Sequence, residues 1–409
     1  MNTISTAEKF ISYQRIVLAI LALLQFMVFL DFMIIAPIGH ILSKDLNITT
    51  NQFGLVVSSY IFSAATSGLI SAGFIDKYDR KKVLLFFSIG FVAGTLFCAL
   101  SNSFHTLLAS RIFTGIFGGV IGSITMTIVS DIFPPNQRGR AMSTVQMAFA
   151  ASQILGIPLG LFIANNLGWQ YTFFLIVLLS IPILLVIILK LKPINEHLKT
   201  KSDKTIVSHL FHNLKNKSHQ IGFAATIILG MGMMLQPFVS IFLVNNIHLT
   251  NDEVPIIFMV TGAAAFFIMP LVGKLSDKFD KFKIFLIGSF ATMAIIPVYT
   301  HLPVVPLWVV LILNVTMFAV IMSRMGPFQA LNSIIPNPGN RGAYMSISAS
   351  LSQMAGGLGI LIASNIAFQP TPTSPLQNFE LLGYVVVGLT VLAIWLVYRV
   401  SKIVKDNNR

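Results

Sequence analysis

Ala72-Gly-Phe-Ile-Asp76-Lys-Tyr-Asp79-Arg80-Lys-Lys82 is echoed 201 residues later by Gly273-Lys-Leu-Ser-Asp277-Lys-Phe-Asp280-Lys281-Phe-Lys283. Each copy is a short charged turn between two long apolar runs. A second pair repeats at almost the same distance, Arg138-Gly139 and Arg341-Gly342, 203 residues apart. A chain that repeats itself at half its length is read as two copies of one unit. The apolar runs around the repeats say what that unit is.

Twelve runs approach or exceed the roughly 20 residues that a helix needs to cross a bilayer. They fall at 16–41, 53–75, 83–101, 106–131, 141–165 and 170–191, then at 219–244, 254–275, 283–300, 305–331, 342–367 and 382–401. Helix is the expected type, because a membrane barrel would alternate polar and apolar residues in segments of about ten. The fold class is therefore an all-α polytopic membrane protein with twelve transmembrane helices in two six-helix pseudo-repeats. Residues 1–191 form the first half, 192–218 a basic linker and 219–409 the second half. The linker carries Lys192, Lys199, Lys201, Lys204, Lys215 and Lys217. Parallel six-helix repeats describe a rocking transporter whose site lies between the halves near the midplane.

Charge supplies an orientation. Twenty-four of the 27 Lys and Arg residues sit at the termini or in even-numbered connections, Lys44 is alone in the odd ones, and Arg111 and Arg324 lie inside apolar runs. Basic residues resist translocation and collect in cytoplasmic loops, so both termini are expected inside. The run after Arg15 reaches about Leu42, too long for a signal h-region, and is expected to stay as the first span.

Composition narrows the function classes. The chain is 55% apolar and 10% charged, with a mean hydropathy of +0.82, whereas soluble domains carry about 25% charge. The net charge of +13 belongs to short loops facing an anionic leaflet, so no nucleic-acid partner is expected. Cys98 is the only cysteine, which leaves no disulfide framework and no Cys-based metal site. The chain has no Walker loop, no Gly-x-Ser-x-Gly elbow and no His-Glu-x-x-His helix, so ATP-driven transport and hydrolysis are not expected. The protein is not read as an enzyme.

At the charged turns the chain resembles the major facilitator superfamily, whose signature loop is written G-x-L-a-D-r-x-G-r-k. Asp76, Arg80 and Lys81 match it, while Ala72 and Asp79 stand where glycine is usual; the second copy keeps Gly273 and Asp277 but has Phe282 at a basic position. Arg111-Ile-Phe-Thr-Gly115 resembles the fourth-helix motif R-x-x-q-G. Gly156-Ile-Pro158-Leu-Gly160 resembles the fifth-helix antiporter motif, with Leu161 and Ser152 at glycine places, and Gly168-Trp169-Gln170 resembles a G-W-R that opens the sixth helix. Within the superfamily the chain is most similar to the twelve-helix drug:proton antiporter group, its sugar-efflux-like branch. The resemblance implies that the first and fourth helices line the cavity. It also implies that Arg80 reaches Asp131, and that Asp76, Arg80, Lys81, Asp131, Gly273, Asp277 and Lys281 make a cytoplasmic gate. Asp76 would cap the eleventh helix, where free N–H groups favour an anion. The plainer alternative is that these are solvated topological charges.

Asp31 is the only acidic residue deep in a span, about 22 Å from the inner end at ~1.5 Å per residue. Arg111 lies some 30 Å from the inner end of its helix by the same rise. A carboxylate in hydrocarbon pairs with a cation or takes up a proton. Asp31 and Arg111 are therefore the proton-coupling candidates, with a fixed structural ion pair as the alternative. Arg324, beside Gly326-Pro327, either faces the cavity or snorkels to the headgroups. Gln25, Gln146, Gln236, Asn314, Gln329 and Gln353 are cavity candidates, although amides bonded between helices would read the same way. Gly156, Pro158 and Gly160 permit a bend or close packing.

The expected function is proton-coupled efflux of a small organic molecule such as a drug or sugar by alternating access. An importer or facilitator and a lipid flippase on the same fold remain rivals. The partners are a small-molecule substrate, protons and membrane lipids. No cofactor or metal is expected beyond the proton gradient, and the setting is a monomer in a bacterial inner membrane.

Overall fold

The computed structural model describes residues 10–71, 75–199, 216–337 and 341–407. Among them are twelve helices long and apolar enough to cross a membrane. In chain order they are α1 Ser12–Ile34, α2 Thr50–Ser71, α3 Arg80–Ala99, α4 Phe104–Ile132, α5 Asn136–Leu167 and α6 Trp169–Lys190, then α7 Lys217–Asn245, α8 Glu253–Lys278, α9 Lys281–Thr300, α10 Leu307–Asn332, α11 Ala343–Ile366 and α12 Phe379–Asp406. Helices satisfy every backbone donor within the segment, the condition that hydrocarbon imposes. The one β-bridge among the described residues, Phe368 with Gln377, closes the α11–α12 loop.

Three breaks in the helices coincide with proline. The first span was expected to run to 41, but α1 ends at Ile34, and a turn at Pro37 leads into a short helix, Gly39–Asp45. Proline has no N–H and crowds the residue before it, so a continuous helix stops there. In α5 the turn Ser152–Gly156 is a π-helix immediately before Ile157-Pro158, a local widening that accommodates the missing donor. In α7 the stretch Gly232–Phe238 tightens to 3₁₀ around Pro237. Part of the linker, 200–215, lies outside the described residues.

Within the first six helices α2 packs most extensively on α4, and α1 packs on α5. Within the last six, α9 packs on α10 and α7 on α11. Two seams join the sets, α2 with α11 and α5 with α8. The α2–α4 pair is so close that a Cβ on Gly119 would overlap the Ala64 carbonyl oxygen and lie 2.6 Å from the Ala64 Cα. Backbone cannot give way as a side chain can, so Gly119→Ala is expected to cost at least the ~1–3 kcal/mol of overpacking. Size-exclusion profiles after detergent extraction check this: the variant should aggregate, and a monodisperse peak at wild-type yield would contradict the packing.

The end of the bundle opposite the termini is sealed. Asn51 Nδ2 donates to Asn365 Oδ1 at 2.9 Å, Asn165 Nδ2 to the Asn251 carbonyl at 2.6 Å, His40 Nε2 to Asn251 Oδ1 at 3.2 Å, and Ser240 Oγ to the Ala36 carbonyl at 2.7 Å. All four bonds cross between the first six helices and the last six. A cavity lies on the terminal side of this seal.

Candidate functional site: a buried ion pair beside a central cavity

Asp31 and Arg111 meet. Arg111 Nη1 donates to Asp31 Oδ2 at 2.8 Å, and both side chains are fully buried. Asp31 stands nineteen residues into α1, about 28 Å from its terminal end. Arg111 is seven residues into α4, counted from the opposite end. Thr95 Oγ1 of α3 donates to the other carboxylate oxygen, Oδ1, at 3.2 Å. Tyr60 of α2 presents its ring face to the Arg111 guanidinium, 4.3 Å from centroid to Cζ, a placement the ring quadrupole favours. Four helices of the first half therefore converge on one pair of charges. Arg111 Nε and Nη2 have no hydrogen-bond partner among the described residues. The cation is thus held by the Asp31 carboxylate, by the Asp31 backbone carbonyl, to which Nη1 also donates at 3.4 Å, and by one ring, and burying unmade donors is costly.

The central cavity, of about 270 Å³, is lined from both halves by α1, α2, α4, α7 and α11. That is close to the lower end of the ~300–1,000 Å³ typical of small-molecule sites. Phe32 and Tyr60 both line it and stack on each other with centroids 5.7 Å apart and planes 25° from parallel. These two rings stand between the cavity and the ion pair. Of the amide candidates, Gln25, Gln236 and Gln353 line the cavity. Gln25 is 4% exposed and its Oε1 has no partner among the described residues.

The remaining candidates stand apart from this lining. Arg324 is buried against α9, its guanidinium 5.8 Å from the Phe285 ring centroid. Its helix face turns toward α9, where Gly288 lets the stem pack closely. Asn314 Nδ2 donates to Tyr299 Oη at 3.1 Å and so ties α10 to α9, the inter-helix reading of that amide. Gln146 and Gln329 are exposed and outside the lining. On α5, a Cβ at Gly156 or Gly160 would come within 2.7 Å of Leu30 or Ile34 of α1. The π-turn and Pro158 sit at that same contact, so bend and close packing coincide.

The charged turns differ between halves. Arg80 Nε donates to Asp131 Oδ2 at 3.0 Å, the contact that the family pattern implies. Lys81 Nζ donates to the Ile188 carbonyl at 2.8 Å, tying α3 to α6. The Asp76 side chain and residues 338–340 at the start of the eleventh helix lie outside the described residues, so its expected cap does too. In the second copy Gly273 and Asp277 are exposed, and Lys281 is half-buried.

Sequence reading passed over Asp79 and Asp280 as working residues. Both are N-caps: Asp79 accepts from the N–H groups of Lys81 and Lys82, and Asp280 from those of Phe282 and Lys283. An Asp directly before an apolar helix is itself the signal, and the two sit at matching places in the repeat. Burial works against the charge on Asp280. The Lys283 and Phe282 N–H groups and the Lys405 ammonium outweigh it and hold the carboxyl below the usual carboxylate range.

His40 lies in the seal, beyond the end of α1. Burial pushes its imidazole down to about 4, so it is neutral near pH 7 and free to donate to Asn251. An unfolded His protonates near 6.5. The stability contributed by neutral His40 is therefore full above about pH 6.5 and is lost as pH falls toward 4. Thermal unfolding between pH 7.5 and 4 should reveal this loss in wild type and a shallower one in His40→Gln; identical profiles would contradict it.

A twelve-helix bundle with a central cavity between two six-helix sets defines a multi-pass secondary transporter fold. The chain belongs to the Major Facilitator Superfamily, whose family pattern it matches over residues 21–360. It is 32% identical over 153 residues to Multidrug resistance protein 3 of Bacillus subtilis (strain 168), covering 37% of this chain and 30% of that protein. The chain thus spans under a third of that relative's length. It is 26% identical over 388 residues to the MFS-type transporter YceJ of the same organism, covering 92% of this chain and 94% of that one. Among solved structures it resembles a D-xylose-proton symporter, with a TM-score of 0.76, 16% identity and coverage of 94% and 97%. It also resembles a bacterial homologue of the human lysosomal transporter Spinster in an inward-facing conformation, with a TM-score of 0.74, 17% identity and coverage of 97% and 99%. At these identities the structural likenesses establish the fold.

Proposed function

We propose that this transporter is a proton-coupled exporter of a small organic molecule, with both termini in the cytoplasm of a bacterial cell. The observation that carries the reading is the Asp31–Arg111 pair, wholly buried and separated from the cavity by the Tyr60 and Phe32 rings. In this reading the sealed end faces outward and the cavity faces the cytoplasm. Basic residues at the terminal end support that orientation, and the match to a multidrug resistance protein supports export.

The coupling follows from electrostatics. While Asp31 is ionised, the pair satisfies itself. A proton on Asp31 removes the counter-charge of a guanidinium whose Nε and Nη2 already lack partners among the described residues, and that state is tolerable only if the helices rearrange. A ligand in the cavity presses on Tyr60 and Phe32, the rings supporting Arg111 and flanking Asp31, so it biases the same equilibrium. Each ligand thereby shifts the conformation by its differential affinity for the two states, which is antiport when substrate and proton favour opposite ones. Arg80 with Asp131 and the Gly156–Pro158–Gly160 contact are the gate and hinge of this cycle.

Transport into everted vesicles, with ΔpH imposed and then collapsed by an ionophore, tests the reading. Uptake that rises with an acidic lumen and stops on collapse is the expected result; uptake indifferent to ΔpH leaves a facilitator. Tyr60→Leu removes the ring beneath Arg111 and should uncouple, retaining downhill substrate exchange while losing dependence on ΔpH. Full coupling in that variant would take Tyr60 out of the linkage.

A further inference from the structure

Resting on the export reading, we infer that the substrate is an uncharged amphiphile, recognised by amides against an apolar wall. Among the described residues the cavity lining contains no Asp, Glu, Lys, Arg or His. Asp31 and Arg111 neutralise each other and are fully buried, with Arg111 packed on the lining ring of Tyr60. Arg324 is turned away onto Phe285. A cation or anion entering the cavity would shed water without meeting a counter-charge, which is the costly way to bury an ion.

What the lining does offer is specific. Gln25, Gln236 and Gln353 enter from α1, α7 and α11, so the amides come from both halves. Each carries two donors and one acceptor oxygen, a set that suits neutral hydroxyl, ether or amide groups. Gln25 Oε1 is buried and unpartnered among the described residues, leaving an acceptor that a ligand hydroxyl would satisfy. Phe29, Phe32, Met33, Met233 and Ile360 supply the apolar remainder. The methionine side chains are unbranched and adapt to ligands of varied outline.

Calorimetric titration of the full chain in nanodiscs, with no gradient, tests the class with three probes of similar size. Phenyl β-glucoside is neutral, phenyl β-glucuronide adds a carboxylate to the same scaffold, and benzyltrimethylammonium is cationic. The glucoside is expected to bind at least tenfold tighter than either charged probe. Gln25→Leu and Gln353→Leu should each weaken it about tenfold, and Gln353→Glu should admit the cation. Gln25 Oε1 has no partner among the described residues, so its replacement breaks no hydrogen bond of that oxygen there. Comparable or tighter binding of a charged probe, or no binding of the glucoside, would overturn the inference. Because no gradient is present, failure here leaves proton coupling standing, and loss of coupling in transport leaves this selectivity standing.

Discussion

Asp31→Asn is expected to abolish ΔpH-driven transport and to lower the melting temperature, because the buried Arg111 loses its counter-charge, while the folded protein still exchanges substrate down its gradient. The amide keeps an oxygen for Thr95 Oγ1 and Arg111 Nη1, at 3.2 and 2.8 Å from the carboxylate oxygens, and it resembles the protonated carboxyl that the cycle visits. It cannot release a proton. Driven accumulation should therefore fall to the level of a passive carrier, and equilibrium exchange should persist within a few-fold of wild type. Paired assays in proteoliposomes, one with ΔpH and one measuring counterflow, separate the outcomes. Loss of both activities would mark Asp31 as structural, and persistence of both would place the coupling elsewhere.

The second large effect is on stability. Arg111→Leu leaves Asp31 in the bundle interior without its cation, and breaking a buried pair from one side costs about 3–5 kcal/mol. The variant is expected to melt well below wild type. Asp31→Asn/Arg111→Leu removes both charges and should recover much of the loss, since replacing a whole buried pair is often neutral. A double-mutant cycle on the melting data isolates the pair term, because the two residues touch and should be strongly non-additive. Additive losses would mean that the contact contributes little. The cycle also separates fold from mechanism, for a stable but uncoupled double variant leaves only the proton function missing.

Much of this architecture is legible in the chain. Twelve apolar runs, the repeat of the charged turn at Asp76 and Asp277, and the bias of basic residues toward alternate loops specify a duplicated bundle. Asp31 and Arg111 were legible as a candidate pair, at depths of about 22 and 30 Å that one long side chain could bridge, because a lone carboxylate in hydrocarbon must find a partner or a proton; that they touch was not legible. Facing direction was not legible. Apolar residues surround these helices on all sides, so no amphipathic stripe says whether α10 reaches the cavity, and Arg324 and Gln329 could not be told from lining residues. The amides divided for the same reason: Asn314 bonds Tyr299 within a half, whereas Gln25, Gln236 and Gln353 reach the centre. Breaks in the helices were half legible. Pro37, Pro158 and Pro237 are plain in the sequence, but whether a proline yields a stop, a π-turn or a 3₁₀ stretch depends on the neighbouring helix against which it packs.

The most direct test of the central claim is proton release from purified, weakly buffered protein when substrate is added, with wild type and Asp31→Asn compared side by side. The account predicts release on binding in wild type and none in the variant, with substrate affinity retained in both. Binding without release in wild type, or equal release from Asp31→Asn, would contradict it.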